Sequence, residues 1–355
     1  MIHEVDNSKL LEVVSQMRSS FERSLQGQFT DCFSINRLRS FKEDLLEIQS
    51  PDKVARISWF EGQQDSDGNL WIEAIPKRHN HANKMSKKEF NAAMCLKYFL
   101  PQPSIAAHCR CACGIFPDAY GHHLAGGCRT GKDRHETHDT LKYTLRGVAQ
   151  YAGIHTIVEP LHVFANVDDH TGLRPDAILK DPPPLLSRNG REVLIDVSVT
   201  STFSNTQNGS LPVLGNGARR NSMTLEQAQR RGSSSQVRCN EKNTKYQALS
   251  NAAGLEFIPL VFESCGRMHS CVKDFVSNCS KVASENRNIP HKVLTKFWLR
   301  NLAFKLQHQL SKSIVKKSFG MRLPNAANGG AQAHIHQDDL VLDYERVVTL
   351  IGGRN

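Results

Sequence analysis

Two aspartates near the middle of the chain stand where they could share a metal ion. Asp176 follows Pro175, and Asp196 lies inside the β-branched run 193–200. The run alternates in polarity, which puts Asp196 and Ser198 on one face of a strand. A carboxylate buried there is costly without a partner, and Mg²⁺ binds carboxylates together with waters and phosphate oxygens. In the alternative interpretation, Asp176 is a cap and Asp196 forms a salt bridge with an arginine.

A second group of residues with ligand chemistry lies in the segment HCRCACGIFPDAYGHHLAGGC. Its thiols and imidazoles are Cys109, Cys111, Cys113, His122, His123 and Cys128. Thiolate and imidazole are the ligands that zinc prefers, and the glycines allow tight turns around an ion. Cys109 and Cys113 have the usual spacing of about two to four intervening residues, whereas Cys111 and Cys113 are closer. The alternative is a loop that carries free cysteines.

The composition narrows the class of protein and of partner. The 355-residue chain is long enough for about two domains and has 45 lysines and arginines against 35 aspartates and glutamates, a formal charge of +10. A basic chain favours polyanionic partners, nucleic acid first among them. No apolar segment follows Met1, and the longest apolar run, around residues 255–262, is too short to cross a bilayer. We therefore expect no secretion and no membrane partner, and cysteines that bind metal in a reducing compartment.

Hydrophobic periodicity predicts the elements that position these groups. Residues 8–49 predict two amphipathic helices, and Ser86 caps a predicted helix that runs to Pro101. Residues 201–236 are rich in Ser, Asn, Gly and Gln and predict a mobile insertion, in which 225–231 could start a helix. Around the aspartates we expect helix, three strands, helix, strand and helix, at 133–152, 154–160, 175–179, 193–200, 240–253, 255–263 and 272–283.

With its predicted elements in this order, the chain resembles the restriction-endonuclease-like domain at the C-terminal end of non-long-terminal-repeat retrotransposon polyproteins, together with the zinc knuckle that precedes that domain. The similarity covers roughly residues 71–266. The knuckle pattern C-x-C-G, D, G-x-H, C is similar to Cys111, Cys113, Gly114, Asp118, Gly121, His123 and Cys128. The later motifs are similar to His138–Asp139 with a displaced Arg134, Glu159–Pro160, Arg174–Asp176, Asp196–Val199, Lys242 with Lys245 and Tyr246, and Pro259–Gly266. Each motif is short, but seven in the right order are specific.

The resemblance implies an α/β fold of the PD-(D/E)XK restriction-endonuclease-like class, a mixed sheet flanked by helices. A helical region and a small zinc knuckle precede it. The implied organisation is a helical N-terminal or linker region 1–100, a zinc knuckle 101–130, the endonuclease-like domain 131–290 with a flexible insertion 201–236, a basic amphipathic helix 291–322 and a tail 323–355.

The resemblance also implies the chemistry. Asp176 and Asp196 would bind a catalytic Mg²⁺. A structural Zn²⁺ would be held by Cys111, Cys113, His123 and Cys128, with Cys109 and His122 as alternates. Glu159 would be a third magnesium ligand or only a strand-end charge.

The chain departs from the parent motif at the catalytic lysine. Ser198 occupies the position two residues after the second acidic residue, where a lysine is expected. Lys242 or Lys245 could supply the missing cation, and Lys245 is preferred because Tyr246 follows it. The alternative is that both lysines lie on a solvated helix face.

Basic residues outside the motifs suggest contacts to nucleic acid. Arg134, His135 and His138 lie on or just before a predicted helix, where they would touch phosphate or stabilise the helix. Residues 291–322 combine basic positions that include Lys292, Lys296 and Arg300 with an apolar residue at every fourth position. The alternative for this segment is a helix packed on the core with an ordinary solvated face.

The expected function is Mg²⁺-dependent nicking of target DNA. The adjacent aspartates Asp168 and Asp169 sit in a polar loop, unlike the paired aspartates of a polymerase, so no polymerase domain is expected in this chain. The alternative is a catalytically inactive, zinc-containing nucleic-acid-binding protein derived from such an element. From the resemblance we expect DNA and the element's RNA as partners, and a nuclear location with the cytoplasm as the alternative.

Overall fold

The computed structural model describes residues 39–47, 53–64, 66–74, 84–98, 100–105, 109–128, 132–167, 172–187, 189–201 and 224–321. The chain forms two compact units, Met1–Lys53 and Val54–Asn355. In the first unit, helix α1 (residues 39–47) lies where the second N-terminal helix was predicted. The other predicted N-terminal helix, most of the predicted insertion and the tail lie outside the described residues.

Helices follow along the rest of the described chain. They are α2 (Lys53–Gln63), α3 (Leu70–Glu73), α4 (Lys87–Tyr98), α5 (Asp133–Tyr151), α6 (Leu225–Ala228), α7 (Ser233–Ala252), α8 (Ser270–Arg287) and α9 (His291–Ser318). The predicted cap is confirmed, because the Ser86 hydroxyl accepts from the Glu89 N–H at 3.3 Å and Glu89 Oε2 accepts from the Ser86 N–H at 2.7 Å. Gly153, at φ 82°, ends α5 as predicted.

A four-stranded mixed sheet lies in the second unit. Its strands are β1 (His155–Val158), β2 (Ala177–Lys180), β3 (Val193–Thr200) and β4 (Glu256–Glu263), in the order β1-β2-β3-β4. The first three are antiparallel neighbours, whereas β4 is parallel to β3. Parallel neighbours need a crossover, which α7 supplies. The predicted order of helix, three strands, helix and strand is confirmed, as is the α/β class.

Helix α7 is longer than the sequence pattern indicates. The pattern predicts a start at Asn240, whereas the helix begins at Ser233. Its first turns carry serines and glutamine rather than a repeating apolar stripe, so they give no periodic signal.

Strand β3 is buried on both faces, and this decides where Asp196 points. Val193, Ile195 and Val197 belong to the larger core, to which α5, α8 and α9 also contribute. Leu194 packs on the opposite face, in a smaller core with Tyr246 of α7. Asp196 lies two residues after Leu194 and therefore shares the face that α7 covers.

Helix α9 is a central element of the packing. It contacts α3, α4, α5 and α8. The apolar repeat predicted for this segment is buried at Leu294, Leu302, Leu306, Leu310 and Ile314. Among the described residues, no helix is both long enough and apolar enough to cross a membrane.

Candidate active site and metal centre

The sheet register brings the two aspartates together. Asp176 precedes β2, and its N–H donates to the Ile195 carbonyl at 3.1 Å. The Val197 N–H donates to Asp176 Oδ2 at 2.6 Å. The residues on either side of Asp196 therefore both bind Asp176, which fixes the two carboxyl-bearing residues as cross-strand neighbours.

The Asp196 carboxylate is buried beside a lysine of α7. Its residue is 4% exposed, and Lys242 Nζ lies 2.5 Å from Asp196 Oδ2. Burial raises the pKa of Asp196, the Lys242 charge opposes that rise, and the nearby Asp176 charge adds to it. Asp196 thus forms a salt bridge, as the alternative interpretation of this residue predicts. Its partner, however, is a lysine rather than an arginine.

The geometry separates the two lysines of the K-x-x-K-Y element. Lys242 contacts Asp196, whereas Lys245 Nζ donates to the Tyr246 hydroxyl at 3.2 Å and lies 4.7 Å from the centroid of its ring. The Tyr246 hydroxyl in turn donates to the Arg174 carbonyl at 3.4 Å. Lys242 is therefore the better candidate for the active-site cation, although the sequence favoured Lys245.

His138 of α5 joins the carboxylate group. Its Nε2 lies 3.0 Å from Asp176 Oδ2, and its Nδ1 lies 3.2 Å from Asp139 Oδ1. The hydrogen bond to Asp176 raises the pKa of His138 despite partial burial. The sequence analysis predicted that His138, like Arg134 and His135, contacts nucleic acid. Arg134 and His135 are exposed on the first turn of α5, whereas His138 contacts Asp176.

Glu159 is held at the edge of the same group by two cations. Its Oε1 lies 2.6 Å from Lys142 Nζ, and its Oε2 lies 2.7 Å from Arg174. The Lys142 hydrogen bond lowers the pKa of Glu159, so this carboxyl group is ionised. Its backbone, at φ 50°, donates to the Asp176 carbonyl at 2.8 Å. A backbone hydrogen bond therefore holds Glu159 beside Asp176. Lys142 and Arg174 already balance the charge of the Glu159 carboxylate.

Lys142 was missed by the sequence reasoning. Its side chain is only 2% exposed and also lies 2.9 Å from Asp139. The sequence does contain one sign that Lys142 is buried. This lysine falls between Leu141 and Leu145 on the apolar stripe of α5. A charged residue at a core position needs a buried partner.

The cysteine and histidine segment forms a second centre. The ligand atoms of Cys111, Cys113, His123 and Cys128 all lie within 4.8 Å of one another. Cys111 Sγ is 3.5 Å from Cys128 Sγ, and Cys113 Sγ is 3.2 Å from His123 Nε2. Three thiols and one imidazole form a four-ligand set suited to tetrahedral zinc.

A tight backbone turn brings these ligands together. Asp118 accepts from the N–H groups of Tyr120, His122 and His123 at 3.1, 3.0 and 2.7 Å. Gly121, at φ 85°, lies where an added Cβ would come within 2.9 Å of the Gln102 side chain. The conformation thus requires glycine, and the turn directs His123 toward Cys113.

Neither alternate ligand is part of this four-residue set. Cys109 is 3% exposed and belongs to the apolar core. His122 packs edge-on against Trp59, with ring centroids 4.6 Å apart. The neighbouring position, His123, therefore provides the imidazole.

The protonation chemistry of the cluster suits a metal. Burial raises the pKa of the Cys111 thiol to about 12 and lowers the pKa of His123. The imidazole is thus neutral, the form that binds metal, while Cys111 needs a cation to displace its proton. A cysteine and histidine group that could hold a metal such as zinc is therefore present.

Much of the basic charge of α9 is matched by acidic side chains. Glu73 pairs with Arg300 and lies 3.8 Å from Lys296. Asp133 lies 2.9 Å from Lys316 and 3.3 Å from Lys317. Lys292, by contrast, is exposed at the N-terminal end of the helix.

Comparison with known proteins adds no family assignment. No protein-family model matches the chain, and no curated protein matches it. The function must therefore be inferred from the geometry of these sites and from the order of the motifs.

Proposed function

We propose that this protein is a Mg²⁺-dependent DNA endonuclease of the PD-(D/E)XK type that nicks target DNA, related to the C-terminal part of non-long-terminal-repeat retrotransposon polyproteins. One observation carries the proposal. Asp176, directly before β2, and Asp196, in β3, are fixed side by side, and Lys242 lies at the second of them. DNA is the expected substrate, the RNA of the element is a further partner, and the nucleus is the expected location.

The chemistry of the pair suits a divalent cation. Asp176 and Asp196 place two carboxyl groups side by side, with His138 at the first and Lys242 at the second. Carboxylate oxygens are the protein ligands that Mg²⁺ prefers. Bound Mg²⁺ would lower the pKa of a coordinated water and offset charge on the phosphate.

The residues of the chain have separate roles in this proposal. The Val197 N–H and His138 both bind Asp176 Oδ2, so they orient the first carboxylate. Lys242 would position the attacking water and stabilise the negative charge that develops on the phosphate. It reaches the site from α7, across the β3 face that carries Ser198, and so replaces the lysine that the motif lacks.

The zinc centre has a structural role. Zinc with four protein ligands has no open position for a hydrolytic water. The turn that carries His123 is bound to α9, because the Leu124 carbonyl accepts from the Ser313 hydroxyl at 2.7 Å and from Lys317 at 3.2 Å. We infer that Zn²⁺ holds this segment against α9, which packs on α3, α4, α5 and α8.

A plasmid-nicking assay with two matched variants tests the catalytic proposal. Asp176 and Asp181 flank β2 at its opposite ends. Asp176→Asn should lower Mg²⁺-dependent nicking by at least about 10³-fold, because a ligand charge is lost while the amide oxygen still accepts from Val197. Asp181→Asn should nick like the parent. Equal nicking by Asp176→Asn and the parent would exclude the proposed active site.

The second candidate is a non-catalytic nucleic-acid-binding protein with the same zinc centre. The Lys242–Asp196 ion pair favours it, because that pair gives the buried Asp196 a cationic partner without any metal. This candidate predicts DNA binding that weakens steeply with salt but no turnover at any Mg²⁺ concentration.

A further inference from the structure

A third group of metal-ligating residues lies between α7 and α8, and none of the motifs includes it. Cys239 is in α7, His269 is the N-cap residue of α8 and Cys271 is in the first turn of α8. The ligand atoms of the three side chains all lie within 4.8 Å of one another. Residues far apart in the sequence thus bring two thiols and an imidazole to one place.

The His269 ring is oriented by a neighbour in the manner of a metal ligand. Its Nε2 lies 3.2 Å from Gln236 Oε1. The amide nitrogen of Gln236 donates to Asn240 Oδ1 at 3.0 Å, so the amide oxygen faces the ring. Nε2 therefore carries the proton, and the lone pair of Nδ1 accepts from the Cys271 N–H at 3.3 Å, a bond that an ion at this site would replace. Such a hydrogen bond fixes the tautomer of metal-binding histidines.

The two thiols of this group differ in their exposure to solvent. Cys239 is 3% exposed, whereas Cys271 is partly exposed. Asn243 Nδ2 contacts Cys239 Sγ at 3.8 Å, one turn further along α7. An ion can therefore reach the group from the side of Cys271 and be held on the buried side by Cys239.

We propose that Cys239, His269 and Cys271 bind a second zinc ion. Two thiolates and one imidazole are soft and borderline ligands, which select zinc or a similar thiophilic metal over Mg²⁺. Three protein ligands leave the fourth position of a tetrahedron to water or to a ligand from outside the chain. This site differs in that respect from the four-ligand centre at Cys111, Cys113, His123 and Cys128.

The proposed ion would cross-link α7 to the start of α8. These helices flank β4 in the chain and both pack on it. Cys239 lies one helical turn before Lys242, so the ion would also fix the part of α7 that presents this lysine to Asp196. Zinc binding itself does not depend on nuclease activity and can be tested separately.

Metal content of the full chain tests the proposal. Protein purified with a thiol reductant, loaded with Zn²⁺ and dialysed should contain two zinc equivalents by elemental analysis. Cys271→Ser should contain one, and His269→Gln should show the same loss without altering a thiol. Glu285→Gln, an exposed change further along α8, should keep two. Circular dichroism checks that each variant is folded.

Cobalt spectroscopy assigns the lost ion. Three thiolates of the first centre and two of the second give five in all, so the thiolate-to-cobalt absorption of the Co²⁺-loaded parent should fall to about three-fifths in Cys271→Ser. One zinc equivalent in the reduced parent, or two in both Cys271→Ser and His269→Gln, would overturn the proposal. A Cys239–Cys271 disulfide that persists under reducing conditions would overturn it as well.

Discussion

The carboxylate site and the four-ligand cysteine and histidine centre differ in how their residues are brought together. The cysteines and the histidine come from one short segment, 111–128, and a backbone turn centred on Asp118 positions them. The carboxylate site takes His138 from α5, Asp176 from the residue before β2, Asp196 from β3, and Lys242 from α7. Residue types and spacing therefore nearly define the first site, whereas sheet register and helix packing define the second.

The largest expected effect is on the proposed zinc centre, where loss of one ligand should remove the ion. Cys128→Ser should lose one zinc equivalent and lower the melting temperature by at least about 10 °C, because zinc binding is part of the folding free energy. Elemental analysis and thermal unfolding measure the two effects.

Cys109→Ala is the matched control for Cys128→Ser. Cys109 is as buried as Cys128 but is not part of the four-ligand set. The control should keep its full zinc content. If zinc is lost from Cys109→Ala and retained by Cys128→Ser, the ligand assignment is wrong.

The next effect separates the two lysines of the carboxylate site. Lys242→Met should slow nicking by about 10²–10³-fold, as removal of an electrostatic stabiliser does. Lys245→Met should slow it far less, because Lys245 contacts Tyr246 rather than Asp196. Single-turnover nicking at saturating Mg²⁺ measures both. A larger loss in Lys245→Met would restore the preference drawn from the sequence.

A smaller effect is expected for the histidine that supports Asp176. His138→Asn should reduce Mg²⁺-dependent nicking by about 10–100-fold, the usual range for a residue that orients a metal ligand. Gln150→Ala, an exposed change on the same helix, is the control. Titration of nicking with Mg²⁺ should show a raised metal requirement in His138→Asn alone. Equal behaviour of the two variants would remove His138 from the site.

The smallest effect is expected on the surface of α9. Lys296→Ala should reduce the salt dependence of DNA binding by less than about one counterion, because Glu73 already lies 3.8 Å from Lys296 Nζ. Lys292→Ala should reduce the salt dependence of DNA binding more than Lys296→Ala does, if α9 lies on DNA. Binding measured by fluorescence anisotropy across a salt series compares the two. A full counterion lost in Lys296→Ala would show that Glu73 does not offset this lysine.

Local patterns predicted much of the fold. The Ser86 capping box, the end of α5 at Gly153 and the order of helices and strands depend on neighbours in the sequence, and the structure confirms them. The predicted start of α7 was wrong, because the first turns of that helix lack a periodic pattern of apolar residues. The basic residues of α9 were visible, but their partners Glu73 and Asp133 lie far away along the chain.

The choice between Lys242 and Lys245 shows where sequence information ends. The two positions are three residues apart and lie on the same side of a helix, so spacing does not separate them. Tyr246 stacks on Phe257 of β4, with ring centroids 5.0 Å apart, and is nearly fully buried. That contact fixes the rotation of α7 about its axis, and the rotation turns Lys242 toward Asp196.

The sequence by itself determined the residue types: a thiol and imidazole set within one turn, a pair of aspartates in strands, and a helix able to supply a lysine. Tertiary structure alone decided that Lys242 and not Lys245 meets Asp196, and that His138 binds Asp176. The physical reason is that each choice lies between residues of equal chemistry. Backbone turns, sheet register and aromatic packing distinguish them, and these arise only when distant segments meet.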